Sequence, residues 1–366
     1  MSSKKKIYLL IGTRPNFIKV TQFKRISETQ FPHMEVKFIH TGQHFDANMA
    51  DVFFKQLGLQ PNYFLEVGGM SPNSQVASII LKLEELFQKE GKPDFLIVPG
   101  DVNSTLAGAI AANKLGVKLI HLESGLRSFD RKMPEEHNRI VADNLSDICF
   151  VTEPSGLENL SKEHIGADVH WVGNTMIDTL VYFEESIDDC NVLRDLELEP
   201  RSYVLGTFHR PSNVDSKEDL TKLVELLIEV SKSQKVVVPF HPRTKKKLES
   251  FDLWESIDAT ENIISTEPQG YFEFQKLIKE STLVLTDSGG IQEETTYRQI
   301  PCLTLRENTE RPVTITQGTN ELIEFDVQKI MSAISKISNG NWKKGEIPKY
   351  WDGNATSRIL KVIDRY

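Results

Sequence analysis

Several short polar clusters in this chain directly follow apolar runs, and together they suggest anion binding and proton transfer. Asp287-Ser288-Gly289-Gly290-Ile291-Gln292-Glu293-Glu294 follows Leu283-Val284-Leu285-Thr286, which reads as strand, tight turn and helix. The two glycines let the backbone come close to a ligand. Free N–H groups at the helix start then favour an anion, typically a phosphate. Glu294 lies about one turn into that helix, where a carboxylate can accept hydrogen bonds from ribose hydroxyls. An ordinary glycine-rich turn fits this one segment equally well. The cluster Gly12-Thr13-Arg14-Pro15-Asn16-Phe17-Ile18-Lys19 has the same character. Pro15 suits a first helical turn, and Arg14 and Lys19 place cations beside a helix N-terminus. The spacing is neither GxGxxG nor Walker A, so it supports no NAD or ATP cradle.

A second group of clusters carries carboxylates. Asp101 ends the run 95–99, and Glu123 directly follows the run 118–122. A carboxylate after a buried strand needs a partner or a task, and Arg127 is read as that partner. Pro134-Glu135-Glu136 opens a helix whose dipole suits the acidic pair. Asp101, Glu123 and Glu135 nonetheless make three carboxylates on loops at one sheet edge, more than capping requires, and acid–base work is the reading. Thr41-Gly42-Gln43-His44, His209-Arg210, His241-Pro242-Arg243 and 306–312 bring further His, Gln and Arg side chains to strand ends. Tyr271 and Phe274 open a helix and either sandwich a base or pack in the core.

The elements that must hold these clusters alternate along the chain. Apolar runs at 7–11, 36–40, 95–99, 118–122, 148–151 and 170–172 read as strands, as do 203–207, 235–239, 283–286 and 302–305. Amphipathic stretches lie between them. This alternation predicts βαβ units and parallel sheets covered on both faces. Fold class is α/β: two Rossmann-like doubly wound domains with a central cleft, ligands lying at strand carboxyl ends. The first domain is expected over 1–172, joined by the C-terminal helix 355–366, and the second over 173–354. The 366 residues suffice for two domains, and the net charge of −9 argues against a nucleic-acid partner. Three cysteines, Cys149, Cys190 and Cys302, show no metal-site or disulfide spacing; Cys149 and Cys302 read as small core residues. The apolar run after Lys4-Lys5-Lys6 is too short to span a bilayer, so no membrane partner and a cytoplasmic location are expected.

Taken in order and at their spacing, these motifs resemble the non-hydrolysing UDP-N-acetylglucosamine 2-epimerase family across essentially the whole chain. The resemblance implies a two-domain glycosyltransferase-B fold. It implies that Ser288, Gly289 and Gly290 hold the phosphates of UDP, Glu294 the ribose and Phe274, with Tyr271 and Arg311 nearby, the uracil side. Arg14, Lys19 and His209 would close on the diphosphate, and Asp101, Glu123, Glu135 and His209 would form the catalytic set. The chemistry implied is reversible C2 epimerisation through elimination and re-addition of UDP, with a UDP-sugar as partner, a homodimer as assembly, and no cofactor or metal. A hydrolysing epimerase, an epimerase of a modified UDP-N-acetylhexosamine and a glycosyltransferase of the same fold are the alternatives. Gln43, His44, Glu136, Arg210 and His241 resemble part of an activator site found in some bacterial members. Asp46 stands where those members carry Gln, so activation by a second UDP-sugar is expected to be weak. Asn16-Phe17, where Glu-Ala is common, and Pro211-Ser212-Asn213 are further departures.

Overall fold

A computed structural model describes residues 4–43 and 54–366. Among them two parallel sheets form. The first contains β1 (Lys5–Ile11), β2 (Met34–His40), β3 (Tyr63–Phe64), β4 (Phe95–Pro99), β5 (Lys118–Leu122), β6 (Ile148–Val151) and β7 (Asp168–Trp171), in the order β3-β2-β1-β4-β5-β6-β7. The second contains β8 (Tyr203–Thr207), β9 (Lys235–Pro239), β10 (Ile263–Thr266), β11 (Leu283–Thr286), β12 (Cys302–Thr304) and β13 (Asn320–Leu322), in the order β10-β9-β8-β11-β12-β13. Central strands such as β4 and β11 are buried at every residue, because helices cover both faces, and this is why they read as continuous apolar runs.

Each order reverses once. The chain runs outward from β1 to β3, then returns to place β4 on the other side of β1; β8 and β11 repeat the move. At such a point the two flanking crossovers diverge and leave a crevice at the strand carboxyl ends. The loops after β1 and β4, and those after β8 and β11, are the ones this topology leaves open to a ligand.

The chain forms two compact units, Met1–Tyr182 with Lys349–Tyr366, and Phe183–Pro348. The sequence-based boundary at 172 falls too early. Helix Thr175–Tyr182 belongs to the first unit, where the Thr179 hydroxyl donates to the Ile18 carbonyl. The return also comes before 355. Trp351 is fully buried in the first unit and its indole donates to the Thr152 carbonyl at 3.1 Å. Three strands escape the sequence pattern, β3, β10 and β13, and all three are sheet edges. Edge strands are short and only partly covered, so they carry no continuous apolar run. Cys149 and Cys302 sit fully buried in β6 and β12, where burial pushes their thiols up to about 12 and about 11. No helix among the described residues is long and apolar enough to cross a membrane.

The start of the C-terminal helix, Ala355–Ile363, is capped by a side chain distant in sequence. Buried Asp178 accepts the N–H groups of Ala355 at 3.0 Å and Thr356 at 2.6 Å, which no side chain of the helix's own cap satisfies. Asp178→Ala should lower stability by about 1–3 kcal/mol, the range for losing a cap and stranding buried donors. The urea midpoint reads this directly, and an unchanged midpoint would mean that water replaces the carboxylate.

Candidate active site

In the first unit the loop after β1 is built around Asn16. Its carbonyl oxygen accepts the Gly12 and Thr13 N–H groups at 3.1 and 3.2 Å, and its amide donates to the Pro99 carbonyl at the end of β4 at 3.1 Å. Asn16 therefore caps helix Arg14–Gln30 and ties it to the neighbouring strand, which accounts for asparagine at this position. Arg14, at the helix start, is mostly buried, and burial lowers its guanidinium to about 10.

One turn on, buried Lys19 reaches Glu123 with 2.5 Å between Nζ and Oε2. The partner of Glu123 is thus Lys19 and not Arg127. Arg127 is buried elsewhere, forked onto Glu163 at 2.8 and 2.6 Å and against Asp143 at 2.7 Å. Gly100 makes room for the ammonium. It has φ +69, and a Cβ there would lie 3.0 Å from Lys19 Nζ. Glu123 itself has φ +72, an uncommon conformation for a residue with a side chain. Its N–H and that of Ser124 converge on the Phe150 carbonyl, which holds the turn. Asp101 lies close by, because β4 and β5 pair in register with Pro99 opposite Leu122.

Asp101 is ion-paired with Arg139, whose other nitrogen meets Glu136 at 2.6 Å. Glu136 is buried and accepts from Ser128 N–H, Ser128 hydroxyl and Phe129 N–H at 2.9, 2.8 and 3.0 Å. Glu135 is exposed in the first turn of helix Pro134–Leu145. Behind these loops His121 is fully buried, Nδ1 2.6 Å from Asp143 and Nε2 2.7 Å from the Gly100 carbonyl. Burial alone would raise the Asp143 carboxyl, but His121 and Arg127 outweigh it and hold it low.

In the second unit buried Asp287, the last residue before the helix-start turn, organises the loop after β8. It accepts the His209 and Arg210 N–H groups and the Asn213 amide, and lies 2.9 Å from His209 Nδ1. Burial pushes its carboxyl up, and these donors more than offset that and hold it low. An ionised carboxylate can only accept, so His209 presents Nδ1–H to it and turns Nε2 outward from an exposed ring. Ser288, Gly289 and Gly290 begin helix Gly289–Arg298, whose first turn carries no acidic residue and no side-chain cap. A Cβ at Gly289 would lie 2.6 Å from Arg311 Nη1 and 2.8 Å from Glu310 Oε1, so a larger residue there would have to push these side-chain ends aside. Arg306, also buried, meets Glu310 at 2.9 Å, while its Nε and Nη1 have no hydrogen-bond partner among the described residues. Burial lowers its guanidinium, as do nearby Arg210 and Arg311, against the pull of Glu310. These cations and open N–H groups make the β8–β11 crevice attractive to an anion.

Some expected roles change. Arg311 is buried between Glu293, at 3.0 Å, and Glu310, so it supports the helix start and does not face outward. Tyr271 is buried in the core and does not present a face to a base, whereas Phe274 is only partly buried. Gln43 caps helix Asn103–Leu115 through Ser104 at 2.7 and 3.0 Å, and Glu136 is enclosed as above, so both already hold structural contacts within the first unit. His241 caps its own helix, accepting Arg243 N–H at 3.2 Å, and Arg210 is half-buried; His44 and Asp46 lie outside the described residues. The residues that sequence reasoning missed are partners: Asp287, Arg139, Arg306 and the His121–Asp143 pair. Asp287 and Arg306 sit in motifs already noted, and their burial beside a strand end is the signal that finds them.

Two doubly wound domains of this kind define the glycosyltransferase-B class. The chain matches the UDP-N-acetylglucosamine 2-epimerase family profile over residues 26–364. It is 39% identical to a UDP-N-acetylglucosamine 2-epimerase of Methanococcus maripaludis, covering 98% of each chain. It is 37% identical to the UDP-2,3-diacetamido-2,3-dideoxy-D-glucuronate 2-epimerase of Pseudomonas aeruginosa, covering 98% of this chain and 99% of that one. The crystal structure of Methanocaldococcus jannaschii UDP-GlcNAc 2-epimerase, in complex with UDP-GlcNAc and UDP, superposes with a TM-score of 0.89 at 37% identity, over 99% of this chain and 100% of that one. The chain belongs to the UDP-N-acetylglucosamine 2-epimerase family.

Two outcomes follow from the electrostatics. Lys19→Met leaves a buried carboxylate without its cation and should cost about 3–5 kcal/mol of stability, most of which Lys19→Met with Glu123→Gln should recover. Urea unfolding of the single and double variants decides, and additive losses would contradict the pairing. Glu294 is buried, and burial together with Glu293 pushes its carboxyl up to about 7, against Gln275 and Arg298. Between 4.5, the ordinary glutamate value, and about 7 the folded chain keeps a proton that the unfolded chain has lost, so this group's contribution falls as pH rises through that window. Relative to Glu294→Gln, the wild-type urea midpoint should therefore drop between pH 5 and pH 7.5; a rise would reverse the assignment.

Proposed function

We propose that the chain interconverts UDP-N-acetylglucosamine and UDP-N-acetylmannosamine by reversible epimerisation at C2, without net hydrolysis. The observation that carries this reading is the pair of carboxylates, Asp101 and Glu123, on adjacent in-register strand ends, each against its own cation. Family membership supplies the substrate class.

The C2 hydrogen of an N-acetylhexosamine is not acidic, since no carbonyl is attached to C2. Removing it becomes feasible when the anomeric C1–O bond breaks as the proton leaves, because the electron pair then forms a C1–C2 double bond. The products are 2-acetamidoglucal and UDP. Return of a proton to the opposite face of C2, with attack of the UDP oxygen on C1, gives the epimer. This needs one group to take a proton, another to give one, and strong stabilisation of the departing diphosphate. Glu123 and Asp101 serve the first two tasks, with Glu135 as the exposed third carboxylate. The Gly289 helix start, His209 Nε2 and Arg306 suit the diphosphate. Glu294 accepts the ribose hydroxyls, more strongly when ionised, so UDP binding should tighten as pH rises past about 7. Assembly as a homodimer is part of the proposal and is read by light scattering.

Incubation with UDP-N-acetylglucosamine alone, followed by proton NMR, should yield UDP-N-acetylmannosamine. Free N-acetylmannosamine with UDP would instead show a hydrolysing epimerase. Glu123→Gln should lower turnover by ~10²-fold or more with little change in UDP affinity, whereas unchanged turnover would remove Glu123 from the chemistry. His209→Ala should weaken UDP binding by about 1.5–3 kcal/mol, the range for hydrogen bonds to charged groups. Likeness to the Pseudomonas aeruginosa relative favours a second reading, in which the sugar is modified at C3 or C6. A higher kcat/KM with UDP-2,3-diacetamido-2,3-dideoxy-D-glucuronate than with UDP-N-acetylglucosamine would establish it.

A further inference from the structure

Residues 121–128 are buried without interruption, and the chain then throws one aromatic ring outward. Phe129 is 74% exposed, more than any other large apolar side chain described. Its φ is +59, a conformation that a bulky L-residue adopts only when its surroundings impose it. Here the surroundings are Glu136, whose two oxygens take the N–H groups of Ser128 and Phe129. Tyr350 gives the contrast. It also has a positive φ, +68, but its ring packs 5.0 Å from Trp171 with the Arg358 guanidinium 4.6 Å above it. No ring or cation contact among the described residues covers Phe129.

A single exposed apolar residue is ordinary, but one held outward against backbone preference by a buried carboxylate is not. The same Glu136 meets Arg139, and Arg139 meets Asp101, so the loop that projects the ring is fixed to a reacting carboxylate. In sequence Phe129 lies between Glu123 and Glu135. We propose that Phe129 is a substrate-contacting residue that covers the sugar ring of the UDP-sugar, retaining the glycal and UDP until they recombine. The inference rests on the epimerase reading above. The carbon–hydrogen face of a pyranose suits an aromatic face, and a glycal with no covalent link to the protein or to UDP must be kept from water and from escape.

The test compares the wild-type chain with Phe129→Ala, Phe129→Gly and Phe129→Tyr on UDP-N-acetylglucosamine. Proton and phosphorus NMR count 2-acetamidoglucal and UDP released per epimer formed. Phe129→Ala should raise that ratio at least about tenfold, with the UDP dissociation constant unchanged, and Phe129→Tyr should restore the wild-type ratio. Phe129→Gly should leak like alanine yet melt no lower than wild type, because glycine accepts φ +59 without strain. A loop that was merely structural would lower turnover and melting together and leave the ratio fixed. An unchanged ratio in the alanine and glycine variants overturns the proposal, and a change in oligomeric mass in its place would assign the ring to a contact between copies. A wild-type chain that forms no epimer and no glycal overturns the epimerase reading itself, a result visible before any variant is made.

Discussion

The first unit depends on one buried ion pair. Lys19 comes from the helix after β1 and Glu123 from the loop after β5, and burying either charge without the other would be costly. Their meeting explains local features that otherwise look unrelated. Gly100 has no side chain and a positive φ because the ammonium passes beside it. Glu123 takes a positive φ and is held there by the Phe150 carbonyl, so that its carboxylate turns toward Lys19. Asn16 fixes the start of the helix that carries Lys19 by bonding across to β4. Beneath them His121 grips the Gly100 carbonyl from the other side. The turn between β4 and its helix is thus clamped by charged and polar groups on neighbouring strands, and Asp101 stands at the end of that turn.

The same strand order occurs twice, with opposite charge at each reversal. Beside the β1–β4 reversal the loops after β4 and β5 carry carboxylates, Asp101 and Glu123, each with a cation supplied by a helix. At β8–β11 Asp287 is enclosed by donors, and what remains turned outward is an imidazole nitrogen, a helix start and a partly unsatisfied guanidinium. One reversal is suited to moving protons and the other to holding an anion. The proposed elimination calls for both kinds of group, one set to move a proton and one to hold an anion.

Much of this was legible in the sequence because central parallel strands are buried on both faces. β4, β5, β6, β8, β9 and β11 begin and end where their apolar runs do. The loops carrying Asp101, Glu123, His209 and Ser288 followed at once. Three of the four edge strands were not legible, since Tyr63–Phe64 and Asn320–Leu322 are too short and too exposed to leave a pattern, while the fourth, β7, was read at 170–172. Pairings were harder still. Arg127 looked like the partner of Glu123 because it is near in sequence, whereas the pleat and the register bring Lys19 from another helix. Arg311 and Tyr271 looked like ligand contacts because they sit in the right motifs, and their burial, with Arg311 against Glu293 and Glu310, was not legible. The domain boundary moved for a similar reason: Asp178 and Trp351 commit their segments to the first unit through contacts distant in sequence.

The central claim is that carboxylates of the first unit move the proton at C2 while the C1–O bond breaks. Running the reaction in heavy water and reading C2 by proton NMR tests it most directly. The account predicts one deuterium at C2 in every molecule of epimer formed, and its gradual appearance at C2 in recovered substrate as the reverse reaction returns material. Epimer that retains its original C2 hydrogen would contradict it, because no proton would then have exchanged through the carboxylates.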